Sequence, residues 1–263
     1  MDTTDRKVHT SDFSLMSRKI EPDEKMCATT SELLPGYIAG ILAGDQGISV
    51  AFRGPIPSGR SLSYARGRLV QRTNSGYAAL AHTSAPTDQL ALHRFPPPQV
   101  PTMAEALAPH AINLTNHLVP SCYVCGPARP DGMRLKLGRL EESGAICGVW
   151  WPPADLAGPQ WTIPTGLVWA ALSCAAMWAV PQLPRGLHSI VRNVTGSVTA
   201  PVVADTAHVL VAWPLMYSRR MAQCVAMLID PRGDTCAMLH QVTAPPATFE
   251  QQAWPHASPM NAA

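Results

Sequence analysis

Apolar positions along this chain form one long unbroken run and a series of shorter runs rich in β-formers. Residues 163 to 180, IPTGLVWAALSCAAMWAV, are apolar all round a helical wheel, with Leu167, Val168, Trp169, Ala170, Leu172, Ala175, Met177 and Trp178. A helix without a polar face belongs inside a protein, wrapped by sheet. Pro181 and Pro184 stop it. Four runs follow, SIVRNVTGSVTAPVV, TAHVLVAWPLMYSR, MAQCVAMLID and TCAMLHQVTA, with Pro-Arg-Gly-Asp turning the last hairpin.

The first half repeats this order. SELLPGYIAGILAG (31 to 44) reads as a short helix of small residues with Ser31 as its cap, and ISVAFRGPIP, SLSYARGRLVQRT and GYAALAHTSA follow as β-rich runs divided by Gly, Pro and Asn-Ser-Gly. Helix, strand, long strand, hairpin is thus laid down twice. HRFPPPQVPTMAEALAPH (93 to 110) separates the copies as a stiff connector carrying a short helical patch. The pattern divides the chain into a flexible tail (1–30), an N-terminal unit (31–92), a Pro-rich linker (93–117), a C-terminal unit (118–245) and a second flexible tail (246–263).

Composition narrows the class. At 46% hydrophobic residues the chain can bury a substantial core, and 20 Lys plus Arg against 18 Asp plus Glu, with no basic run, argue against nucleic acid. The charged start MDTTDRKVHTSDFSLMSRKIEPDEK has no apolar signal region. The longest apolar run, Gly166 to Val180, falls short of the roughly 20 residues a bilayer requires. No membrane span is expected, and the location implied is cytoplasmic. Seven cysteines, an odd number, do not form an evident disulfide framework.

Three stretches resemble the hot-dog acyl-CoA thioesterases, in particular their tandem or double hot-dog members. They are CYVCGPARPDGMRL (122 to 135) leading to GAICGVWWPP (144 to 153), the helix at 163 to 179, and PGYIAGILAG (35 to 44) followed by VAFRGPIPSGRSLSY (50 to 64). The resemblance implies an α+β fold, a tandem hot-dog with two curved antiparallel sheets each wrapping a central helix. It also implies an acyl-CoA or acyl-carrier-protein thioester as partner, leaves a homodimer open, and calls for no cofactor.

In such proteins the amino end of the central helix faces the thioester, where backbone N–H groups stabilise a developing oxyanion. By resemblance those donors are Gly166 and Leu167, with Thr165 capping or orienting. A mere relief of crowding by Gly166 explains the glycine equally well. Helical geometry puts Gly166, Trp169, Ala170, Ser173 and Met177 on one face. Relatives commonly carry Asp at the position of Ser173, and here no carboxylate stands between Asp155 and Asp205.

Three readings stay open. Ser173 positions a water while Asp155, His188, Asp205 or His208 serves as base; Ser173 or Cys174 is a nucleophile; or the pocket is kept and hydrolysis is lost, leaving a binder of acyl or polyketide ligands or an enzyme repurposed for cyclisation or dehydration. Asp205-Thr-Ala-His208 is near the spacing used by hot-dog hydratases but falls between strands, as a turn. Arg129, Arg134, Arg192, Arg219 and Arg220 are candidates for the phosphates of coenzyme A, Arg192 first among them, and Trp169 heads the tryptophans that would either line an apolar groove or pack the core.

Cys122-x-x-Cys125 is a structural turn, a redox pair or half a metal knuckle. A zinc site needs a second pair, and only His110 and His117 stand upstream, so no metal is expected.

Overall fold

The computed structural model describes residues 18–20, 27–29, 32–44, 47–74, 76–85, 100–107, 117, 119–180, 190–218 and 220–244. Along the chain run β1 (Arg18–Ile20), β2 (Cys27–Thr29), β3 (Glu32–Leu33), α1 (Pro35–Ala43), β4 (Ile48–Phe52), β5 (Ile56–Pro57), β6 (Leu62–Ala65), β7 (Arg68–Thr73) and β8 (Gly76–Ser84). Then come α2 (Met103–Leu107), β9 (Gly138–Arg139), β10 (Ile146–Trp150), α3 (Thr165–Ala179), β11 (Ile190–Val198), β12 (His208–Tyr217), β13 (Ala222–Ile229) and β14 (Thr235–Ala244).

Local chemistry sets most of these boundaries. Pro35 starts α1, because the residue before a proline is pushed out of helical geometry; Leu34 sits at φ −66° and ψ 118° and gives no side-chain cap. The helix therefore begins later than the sequence pattern suggested, and Ser31 lies outside the described residues. SLSYARGRLVQRT, read as one run, is a hairpin of β6 and β7: Arg66 (φ 49°) and Gly67 (φ 74°) make the two-residue turn that matches strand twist. Arginine in that left-handed position is an uncommon turn signal. In the last hairpin Asp230 Oδ1 accepts the N–H groups of Arg232 and Asp234, both at 2.9 Å, and Gly233 takes φ 92°.

Two separate curved sheets were expected. Instead eleven strands join in one antiparallel sheet, in the order β1-β6-β7-β8-β4-β11-β14-β13-β12-β10-β9, with β2, β3 and β5 in a small second sheet. The seam is the β4–β11 pairing, Val50 opposite Val194 and Ser49 opposite Thr195. Unpaired, each strand would present a bare apolar edge. Outward from the seam lie β8, β7, β6 and β1 on one side and β14, β13, β12 and β10 on the other. Chain order is matched too, β1-α1-β4-β6-β7-β8 against β10-α3-β11-β12-β13-β14.

β1 and β2 lie within the stretch read as an N-terminal tail. Residues 246–263 are outside the described residues, and within the linker α2 supplies the expected helical patch.

Residues directly opposite one another share a face of the sheet. One row, Val50, Val194, Gln241 and Cys224, runs across the seam, and its apolar members join the core around α1 and α3. The next row, Ser49, Thr195, His240, Val225 and Trp213, turns the other way, toward a second cluster that includes Ala106 of α2. With both faces covered, β10 is buried at every position, β13 at all but one, and β12 over its first six residues. That double burial explains their continuous apolar sequences.

Candidate functional site

The helix α3 is the buried rod the sequence promised: twelve of its residues, from Gly166 to Ala179, are buried. Its closest neighbour is α1. A Cβ on Gly36 would collide with Ser173 Cβ and lie 2.7 Å from the Trp169 carbonyl oxygen; one on Gly40 would lie 2.7 Å from Gly166 Cα and 2.8 Å from the Thr165 oxygen. Glycines four apart put bare backbone on one side of α1, and the Gly166, Trp169, Ser173 face of α3 is pressed into it. This is the face singled out for an acid or base. A Cβ on Gly166 would itself lie 3.1 Å from the Tyr37 ring and 3.3 Å from Ile41, so its lack of a side chain serves helix–helix contact and not contact with the sheet.

Ser173 also reaches the sheet. Its hydroxyl donates to Gln241 Oε1 of β14 at 2.5 Å, across 68 positions of sequence. Gln241 is fully buried and its Nε2 has no partner among the described residues; the same holds for the indole Nε1 of Trp169, one turn earlier on α3. The Trp169 ring runs over β11, where a Cβ on Gly196 would lie 3.3 Å from it. Buried polar groups are nearly always satisfied, and an orphan N–H costs about 1–3 kcal/mol. Gln241 and Trp169 therefore offer hydrogen-bond donors inside an otherwise apolar core, beside the Ser173 hydroxyl.

Thr165 is the first residue of α3 and half-buried; the cap position belongs to Pro164, and no side chain caps the helix. Leu167 N–H donates to the Pro164 carbonyl at 2.9 Å, as does Val168 N–H at 3.2 Å, so the Leu167 donor is used within the first turn. Arg192 is half-buried and is the extra residue of a bulge, since Val191 pairs with Thr243 and Asn193 with Val242.

The titratable groups fall elsewhere. Asp155 and Asp205 are exposed, and Asp205 adopts φ 54° in a turn, as expected. His208 is buried at the start of β12, its Nδ1 2.8 Å from the Thr206 carbonyl oxygen. His188, His110 and Arg219 lie outside the described residues. Cys174 is buried, and hydrogen bonding with Cys122 and Cys125, together with burial, pushes its thiol well up, away from the thiolate a nucleophile needs. Trp150, Trp169 and Trp213 pack the core, while Trp151 and Trp161 are exposed.

Gln241 escaped the sequence reading, although a glutamine at a helix-facing position of an apolar strand was a usable signal. Gly36-x-x-x-Gly40 was another. Nothing in the sequence placed Cys174 beside Cys122 and Cys125, where its Sγ now lies 3.0 Å from that of Cys125.

No protein-family model matches the chain, and no curated protein matches it in sequence. Solved structures do match in fold. A candidate thioesterase II from Thermobifida fusca is 14% identical with a TM-score of 0.54, over 87% of this chain and 93% of that one. The tesB protein of Mycobacterium avium subsp. paratuberculosis is 13% identical with a TM-score of 0.54, over 88% and 92%. A candidate thioesterase from Novosphingobium aromaticivorans is 12% identical with a TM-score of 0.54, over 87% and 94%. The chain shares their fold, which is hot-dog-like, over 87–88% of its length.

Proposed function

We propose that the protein is a double hot-dog unit that binds an acyl thioester, presented on coenzyme A or a carrier protein, beside the centre of α3. The matched chain order on either side of the β4–β11 seam supports twinned units, and the thioesterase-type fold supports the ligand class. The observation that carries the reading is the buried Ser173–Gln241 pair with its unpartnered amide N–H. A thioester carbonyl or an attacking water would satisfy that donor, and the Trp169 indole N–H lies one turn away on the same helix. Gly166 is the remaining backbone candidate at the helix end, Thr165 orients the first turn, and Arg192 stands for phosphate at the bulge. A cytoplasmic setting and a homodimer are compatible with this reading.

A second reading, binding without hydrolysis, is favoured by one observation: the partner of Ser173 is an amide, which takes up no proton at neutral pH. General base catalysis requires a group that does.

The two are separated on the full chain with a panel of acyl-CoA thioesters, by calorimetric binding and by detection of released thiol. Binding is expected, weakened about tenfold or more by Gln241→Leu, which removes the buried donor. Thiol release that falls in Ser173→Ala assigns hydrolysis; binding with no release assigns the second reading. An absence of binding across the panel would reject both.

A further inference from the structure

The Cys-x-x-Cys turn and the middle of α3 meet in a cluster of three thiols. The Sγ atoms of Cys122, Cys125 and Cys174 all lie within 4.8 Å of one another, although Cys174 is 49 positions from Cys125. From this juxtaposition we infer that Cys122, Cys125 and Cys174 form a thiolate site for a zinc-class metal ion, clamping the 119–135 loop onto the central helix. The inference is independent of the thioester reading.

Geometry carries it. Thiolates at about 2.3 Å from a tetrahedral zinc stand about 3.8 Å apart, so these sulfurs need only small side-chain rotations to meet one ion. The Cys122-Tyr-Val-Cys125-Gly126 stretch is folded as a tight knuckle. Cys122 N–H donates to the Val119 carbonyl at 3.0 Å, and Gly126 N–H donates to the Cys122 carbonyl at 2.8 Å. Gly126 could carry no side chain, since a Cβ would collide with the Pro120 oxygen and lie 2.5 Å from the Cys122 oxygen. Donors surround the sulfurs. The thiols of Cys125 and Cys174 and the backbone N–H groups of Cys125 and Val124 are directed at the Cys122 sulfur. The Trp178 indole N–H reaches Cys125 Sγ at 3.5 Å. A coordinating thiol is deprotonated outright by the ion, and the backbone and indole donors then help to hold the sulfurs.

His117 is not among the converging ligand atoms. Its Nδ1 accepts the Val119 N–H at 3.1 Å, so in the neutral ring the proton sits on Nε2, buried, with the ring edge-on to Trp178 at 5.0 Å between centroids. Three thiolates bind the ion and displace the thiol protons; the fourth position goes to a water. Soft thiolate donors in this number select zinc over magnesium or calcium.

The test uses the full chain, produced with zinc in the medium and purified under a thiol-free reductant without chelator. Elemental analysis is expected to give about one zinc per chain. Cobalt(II) added to stripped protein should produce a thiolate-to-metal charge-transfer band, and both signals should vanish in Cys122→Ser, Cys125→Ser and Cys174→Ser. Cys224→Ser, buried elsewhere, should keep both. Should a serine variant fail to fold, mass mapping of wild-type thiols shielded from alkylation by zinc decides, with Cys122, Cys125 and Cys174 the expected set. No bound metal and no cobalt band, metal retained in Cys174→Ser, or shielding of a different set overturns the inference.

Discussion

His208 and His240 show what isolation from water does to single residues here. These residues are 1% and 8% exposed, and burial lowers the pKa of each, with the Thr206 carbonyl and then Asp230 opposing the shift at His208. Each ring makes one polar contact: the Thr206 carbonyl lies 2.8 Å from His208 Nδ1, and Gln223 Oε1 lies 3.2 Å from His240 Nε2, but burial outweighs these contacts and favours the neutral form. For a base whose folded pKa is depressed, the unfolded chain takes up the proton first as pH falls. Stability is therefore intact above the unfolded value of about 6.5 and is lost as pH drops through the lower folded values. Urea midpoints should fall between about pH 7 and pH 5, by at most about 1.4 kcal/mol per pH unit for each histidine. His240→Gln, which keeps a polar group beside Gln223, should flatten that slope. An unchanged slope would mean that His240 is not among the groups responsible.

At the level of elements, the α1–α3 crossing is decided by two glycines. Alanine at Gly36 or Gly40 would gain about 1 kcal/mol of helix propensity but would drive a methyl into Ser173, or to within 2.7 Å of Gly166 Cα. Backbone cannot move aside as a flexible side chain can, so overpacking of about 1–3 kcal/mol wins. Gly36→Ala and Gly40→Ala should each lower the thermal midpoint, while Gly54→Ala, with open space within 4 Å, should leave it near wild type. Equal midpoints for Gly36→Ala and Gly54→Ala would show that the helices can separate without loss. The elements were legible to different degrees for physical reasons. The rod at 163 to 180 and the strands β11 to β14 were readable because burial on all sides leaves an unbroken apolar run. The β6–β7 hairpin was hidden because its turn uses Arg66 where Asn or Gly is usual. The cap of α1 was misplaced because Pro35 overrode a serine farther upstream. Ser173 could be nominated from its place on the helix, but Gln241 and the three-thiol cluster arise from contacts between distant segments, which no local pattern encodes.

The whole molecule turns on the seam. A chain of this length with two copies of one element order could unfold in two stages, each half separately. The β4–β11 ladder and the glycine-lined helix crossing argue otherwise, because releasing either half exposes an apolar strand edge and a helix with no polar face. Tryptophan fluorescence reports mainly the second half, since Trp150, Trp151, Trp161, Trp169, Trp178 and Trp213 all lie there, while amide exchange in β7 and β8 reports the first. The two signals should share one urea midpoint. Val194→Ala at the seam, where the side chain is fully buried opposite Val50, should shift both midpoints together by about 2 kcal/mol of stability. Two midpoints, or a shift confined to the fluorescence, would mean that the halves stand alone and that the continuous sheet contributes little to holding α1 against Ser173.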